Sequence, residues 1–79
     1  MEIERLIAVM HGEMKRAAIQ DALDLRHRDY FNEAYLIPAL NAGYVEMTIP
    51  DKPKSSRQKY RLTDEGLLLQ TNLMKEGKS

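Results

Sequence analysis

The stretch "TIPDKPKSSRQKYRLT", Thr48–Thr63, places two prolines and five basic side chains between two runs that alternate like strands. Upstream, "YVEMTI" puts Val45, Met47 and Ile49 on one face and Glu46 and Thr48 on the other. Downstream, "QKYRLT" turns Tyr60 and Leu62 inward and Lys59 and Arg61 outward. Two period-2 runs joined by a loop of Pro, Ser and Lys predict a β-hairpin over residues 44–62. Pro50 and Pro53 are expected to hold the loop extended. They also withhold two backbone donors, which discourages edge-to-edge association.

The charge of this stretch sets it apart. From Pro50 to Arg61, Lys52, Lys54, Arg57, Lys59 and Arg61 face Asp51 alone, a net of +4. The whole chain is neutral, so the remainder carries −4. A local cationic patch on an acidic body can attract an anionic surface, whereas averaged neutrality cannot. The plainer role for such a patch is a solvated loop that guards a sheet edge.

Seventy-nine residues make one domain, which buries only about 60% of its unfolded surface and is modest in stability. There is no cysteine, so no disulfide or thiolate–metal site staples the fold, as fits an intracellular, cytoplasmic chain. No apolar run approaches the roughly 18 residues needed to cross a bilayer. The opening "MEIERLIAVM" carries Glu2, Glu4 and Arg5, unlike a signal peptide.

Around the hairpin the periodicity is helical. Ile3, Leu6, Ile7 and Met10 are spaced i, i+3, i+4, i+7, which predicts helix one over residues 2–11, stopped by Gly12. Ala18, Ile19, Ala22 and Leu23 share a face of helix two, residues 15–23, and Asp24 opens a turn. Helix three, residues 27–41, is polar in its first half and apolar nearly all round in its second. Pro38 is expected to kink it, because no N–H is available for the carbonyl of Ala34. Gly43 ends it. A last helix, residues 64–75, starts at the N-cap Thr63, with Asp64 and Glu65 complementing the dipole and Gly66 weakening the start. Its Leu69 and Leu73 define a core face, and Leu67 and Leu68 widen that stripe, which reads first as core alone and second as core plus a partner surface. The terminal "EGKS" is expected to fray.

The element order is helix, helix, turn, helix, hairpin, helix. This predicts an α+β winged helix-turn-helix: three helices, a two-stranded wing and a C-terminal helix. In that fold the N-terminal residues of helix three enter the major groove and the hairpin follows the neighbouring backbone.

The segment "LRHRDYFNEAYLIPALNAGYVEMTIPDKPKSSRQKYRLTDEG", residues 25–66, resembles the C-terminal winged-helix module of bacterial Fic-like proteins and of related ATP-binding regulators with an AlbA-type N-terminal domain. The resemblance extends over about Leu6 to Leu69. "YLIPALNAG", "MTIPDKP" and "QKYRLT" together are its most specific parts. It implies a winged-helix fold and a regulatory or DNA-binding role for an appended module. It does not imply AMP transfer, because the His-Pro-Phe motif and glycine-rich anion loop of Fic catalysis do not occur here. The turn departs from the usual helix-turn-helix pattern: Asp24 stands where glycine is common, and Arg26 where a serine cap is common.

Double-stranded DNA is the expected partner. Lys52, Lys54, Arg57, Lys59 and Arg61 are the first candidates for phosphate contact, followed by Arg26 and Arg28 at the start of helix three. Base reading falls to Arg28, Asn32 and His27, since arginine suits guanine and asparagine suits adenine. Against this, Asp29 and Glu33 sit beside them and either repel phosphate or occupy the arginines. The alternative role is protein–protein docking, either to domains of a parent chain or to a second copy through the last helix. Tyr30, Phe31, Tyr35, Tyr44 and Tyr60 read as core residues. "HGE" at His11–Glu13 echoes zinc deaminases, but that motif needs a Cys-x-x-Cys partner. Ser55 and Ser56 have no base nearby in sequence, and no glycine-rich phosphate loop is present. No catalytic residue, metal site or cofactor is expected.

Overall fold

The computed structural model describes residues 2–76, so the terminal expectation for "EGKS" lies, from Gly77 on, outside the described residues. α1 (Glu2–Val9) turns Leu6 and Ile7 fully inward. α2 (Arg16–Ala22) does the same with Ile19, and Leu23 follows it into the core. Ala18 and Ala22, expected on that buried face, are exposed. α2 therefore contacts the core along the narrow line from Ile19 to Leu23. The core joins these residues and Met10 to Phe31, Tyr35, Leu36 and Ala39 of the third helix and to Val45 and Tyr60 of the hairpin. Each large apolar side chain taken fully out of water contributes about 1.5–3 kcal/mol.

The third helix runs through residues 28–41 in three segments: α3 (Arg28–Phe31), a π-turn (Asn32–Leu36) and α4 (Ile37–Asn41). In place of the plain kink expected at Pro38, the backbone widens one turn earlier, where the Ile37 N–H bonds the Asn32 carbonyl. An α-helical turn there would press the proline ring on the Ala34 carbonyl, and a wide turn relieves that clash. The apolar half is not buried all round either, because Ile37 is exposed.

Two helix ends close with the same hydrogen-bond pattern. After α4, Gly43 (φ +83°) lets the Tyr44 N–H reach Ala39 O and its own N–H reach Leu40 O. After α2, Asp24 (φ +57°) does this for Leu25 N–H to Gln20 O and for its own N–H to Asp21 O. Both are Schellman motifs, one built on the usual glycine and one on aspartate.

The hairpin pairs β1 (Val45–Met47) with β2 (Tyr60–Leu62) antiparallel, with Val45 opposite Leu62, Glu46 opposite Arg61 and Met47 opposite Tyr60. A further bridge escapes sequence periodicity. Met14 and Tyr60 exchange both backbone hydrogen bonds, at 2.9 and 2.7 Å, so the segment between α1 and α2 adds one residue of a third strand.

The wing loop is not extended. It folds as three successive turns, closed by Lys52 N–H to Ile49 O, Ser55 N–H to Lys52 O and Gln58 N–H to Ser55 O, each 3.0 Å. Pro50 and Pro53 occupy the second position of the first two turns, where a φ fixed near −65° is already correct. Gln58, only 5% exposed, sits inside. Its amide accepts from Ile49 N–H at 3.0 Å and donates to the carbonyls of Ile49 and Lys52.

α5 (Asp64–Glu76) is capped by Thr63, whose Oγ accepts from Gly66 N–H at 3.1 Å and donates to the Gly43 carbonyl. From its middle, Gln70 Nε2 donates to Ile7 O (2.8 Å), which also accepts from Met10 N–H, and to Met10 O (2.9 Å), at the end of α1 where carbonyls run out of helical partners. α5 is thereby locked across the C-terminal end of α1. Among the described residues no helix is long and apolar enough to cross a membrane.

Candidate nucleic-acid interface

A groove of about 710 Å³ separates the third helix from the wing. Arg28, Asp29 and Asn32 line it from the helix, Pro53 and Lys54 from the wing, and Arg16 from the start of α2. Its floor is apolar, made of Leu36, Ile37, Leu40, Met47 and Tyr60. The helix phase explains the first wall. Arg28 and Asn32 are four residues apart, hence on one face, and burial of Phe31 and Tyr35 turns that face toward the wing. The curled loop explains the second: the turn over Lys52–Ser55 brings Pro53 and Lys54 toward the helix, and Gln58 pins it.

Of the nine side chains singled out from the sequence, Arg28, Asn32 and Lys54 line this groove. Arg26, His27, Lys52 and Arg57 are exposed and do not line it, and Lys59 is half-buried. Arg61 lies on the outer face of β2. There its Nε donates to Glu46 Oε2 at 2.6 Å, and its guanidinium lies 3.9 Å from Glu13 Oε2. All three side chains are about half exposed, so these pairs are worth at most about 1 kcal/mol each. They nevertheless direct the Arg61 charge onto the protein's own carboxylates.

Sequence reasoning missed Arg16, which carries no pattern of its own until α2 is docked. It donates to Gln20 Oε1 at 3.3 Å and contributes a third cation to the groove. Asp29 is the acidic member, as its position beside Arg28 foretold. Asn32 Oδ1 is buried with no hydrogen-bond partner, an uncompensated acceptor within a groove that also holds two arginines.

On the far side of the third helix the aromatics sort by depth. Phe31 stacks near Tyr35 with ring centroids 6.2 Å apart, and the Tyr35 hydroxyl accepts from Arg5 at 2.9 Å. Tyr30, read from sequence as core, is 51% exposed and meets Tyr35 edge-on at 5.8 Å. The neighbouring Tyr35 hydroxyl, followed by desolvation, holds the Tyr30 phenol above its ordinary range. Among the described residues no group of three or more His, Cys, Asp or Glu has metal-site geometry.

The architecture is that of a winged helix, with a cation-rimmed groove where helix and wing converge. Comparison with known proteins places it more narrowly. Residues 1–63 match the family model "Filamentation induced by cAMP protein Fic-like, C-terminal domain", and the chain belongs to this family. A crystal structure of a Fic family protein from Desulfovibrio desulfuricans G20 is similar at 39% identity and a TM-score of 0.75. The match covers 80% of this chain and 20% of that one, so the chain spans about a fifth of the length of that Fic protein. Among curated proteins there is no match.

Proposed function

We propose that this Fic-like C-terminal domain is a regulatory appendage that binds double-stranded DNA, with the third helix and the wing closing on one stretch of the duplex. The observation that carries this reading is the convergence of Arg28 and Asn32 from the helix with Lys54 from the wing on a single groove, reinforced by Arg16. Lys52 and Arg57, exposed on the same wing loop, add two cations outside the groove. Arg26, Lys59 and Arg61 stay in the proposal as peripheral phosphate contacts, with Arg61 the weakest because of Glu46 and Glu13. The resemblance to regulators with an AlbA-type domain supports the same reading. The test is a titration of labelled duplex DNA. Three to four phosphate contacts give a slope of about −3 to −4 in log K against log[salt].

A second reading is favoured by the groove's floor. Ile37, Leu40 and Met47 present apolar surface beneath the charged rim, as a docked protein segment prefers. In that case the domain serves its parent Fic chain by protein contact, and it binds the remainder of that chain but not DNA.

A further inference from the structure

α5 carries a second exposed surface that neither the groove nor the family match uses. The family model ends at Thr63, the N-cap of this helix. Gly66, Leu69, Gln70 and Leu73 face the body of the protein. On the opposite side Leu67, Leu68 and Met74 are 50%, 64% and 63% exposed. Together with Asp64, Thr71 and Lys75 they form one stripe about 120° wide, and each of the six is exposed.

The order of residues along the stripe is acid, leucines, threonine, methionine, base. Reversed end to end, it complements itself. Asp64 and Lys75 are eleven residues apart on nearly the same line, about three turns. When two α5 helices lie antiparallel about a twofold axis between Leu68 and Thr71, Asp64 of each copy meets Lys75 of the other. Leu68 then sits over the small Thr71, and the apolar residues cover one another. The dipoles run opposite ways, and each acidic N-terminus faces a basic C-terminus. We infer that this face of α5 is a homodimer surface and that its occupant is a second copy of the same chain in antiparallel register. Isologous contacts of this kind are the commonest closed assembly. The inference does not depend on DNA binding.

The helix is 13 residues, about 20 Å long, so the contact is small and the dimer weak, with a dissociation constant on the order of 10–100 μM. Sedimentation equilibrium of the 79-residue chain without DNA reads this directly, and far-UV circular dichroism checks that each variant is folded. Leu68→Glu is expected to weaken the dimer about tenfold or more. Lys75→Glu and Asp64→Lys, each creating two repulsive contacts, weaken it about three- to tenfold. Mixed one to one, these two charge variants restore both contacts, and a heterodimer as tight as the parent homodimer forms. A parent chain that stays monomeric at about 1 mM, a dimer indifferent to Leu68→Glu, or a mixture no tighter than either variant alone overturns the inference.

Discussion

The α-carbon of Gly66 lies so close to the carbonyl oxygen of Tyr44 that an added Cβ would stand 2.1 Å from it. That carbonyl is fixed where it is, because it accepts the Thr63 N–H at 3.0 Å. The first turn of α5 thus packs backbone to backbone against the end of the third helix, at a distance only glycine permits.

The consequence for stability runs against helix propensity. An alanine in an unconstrained helix gains about 1 kcal/mol over glycine. At this position Gly66→Ala forces α5 off Tyr44 and is expected to cost about 2–4 kcal/mol. Urea denaturation decides the sign, and a stabilised variant refutes the close packing.

Asp24 makes the opposite case. It holds a left-handed conformation that Gly43 holds at the other Schellman motif, and its own side chain is exposed. Asp24→Gly relieves that backbone strain at the cost of unfolded-state entropy, so a net gain of about 0.5–1 kcal/mol is expected in the midpoint of the same titration. No gain, or a loss, means the aspartate holds the turn by an interaction of its own.

The wing stands or falls with Gln58. Gln58→Ala strands the Ile49 N–H and takes one of two hydrogen bonds from each of the Ile49 and Lys52 carbonyls, and is expected to cost about 1–3 kcal/mol. Hydrogen exchange at Ile49 should accelerate together with that loss. A variant that keeps Ile49 protected shows that the turns hold themselves.

Much of this fold is legible in the chain because its signals are local. The i, i+3, i+4, i+7 spacing of Ile3 to Met10, the alternation around Val45 and Tyr60, the glycine after Asn41–Ala42 and the Thr63 cap each act within a few residues, and the winged arrangement follows from their order. What escaped depends on distant partners. Gly66 reads as a poor helix residue until Tyr44 is beside it. Gln58 and Gln70 carry no sequence signal of their own, because what their amides bond is set by where Ile49, Lys52, Ile7 and Met10 come to lie. Met14 pairs with Tyr60 across 46 positions with no period to announce it. In the groove, Arg28, Asn32 and Lys54 were visible as polar residues on exposed faces. Arg16 was not visible, nor was the neutralisation of Arg61, which requires Glu13 and Glu46 to converge on one strand.

DNA binding by this domain requires cations of the helix and of the wing to face one polyanion, and the decisive measurement is a salt-dependent anisotropy titration of a labelled duplex. The expected result is binding at low salt with a slope of about −3 to −4, reduced by about one in Lys54→Ala or Arg28→Ala and little changed in Arg61→Ala. No binding at tens of micromolar in low salt, or a slope that responds to Arg61→Ala and ignores Lys54→Ala and Arg28→Ala, contradicts it.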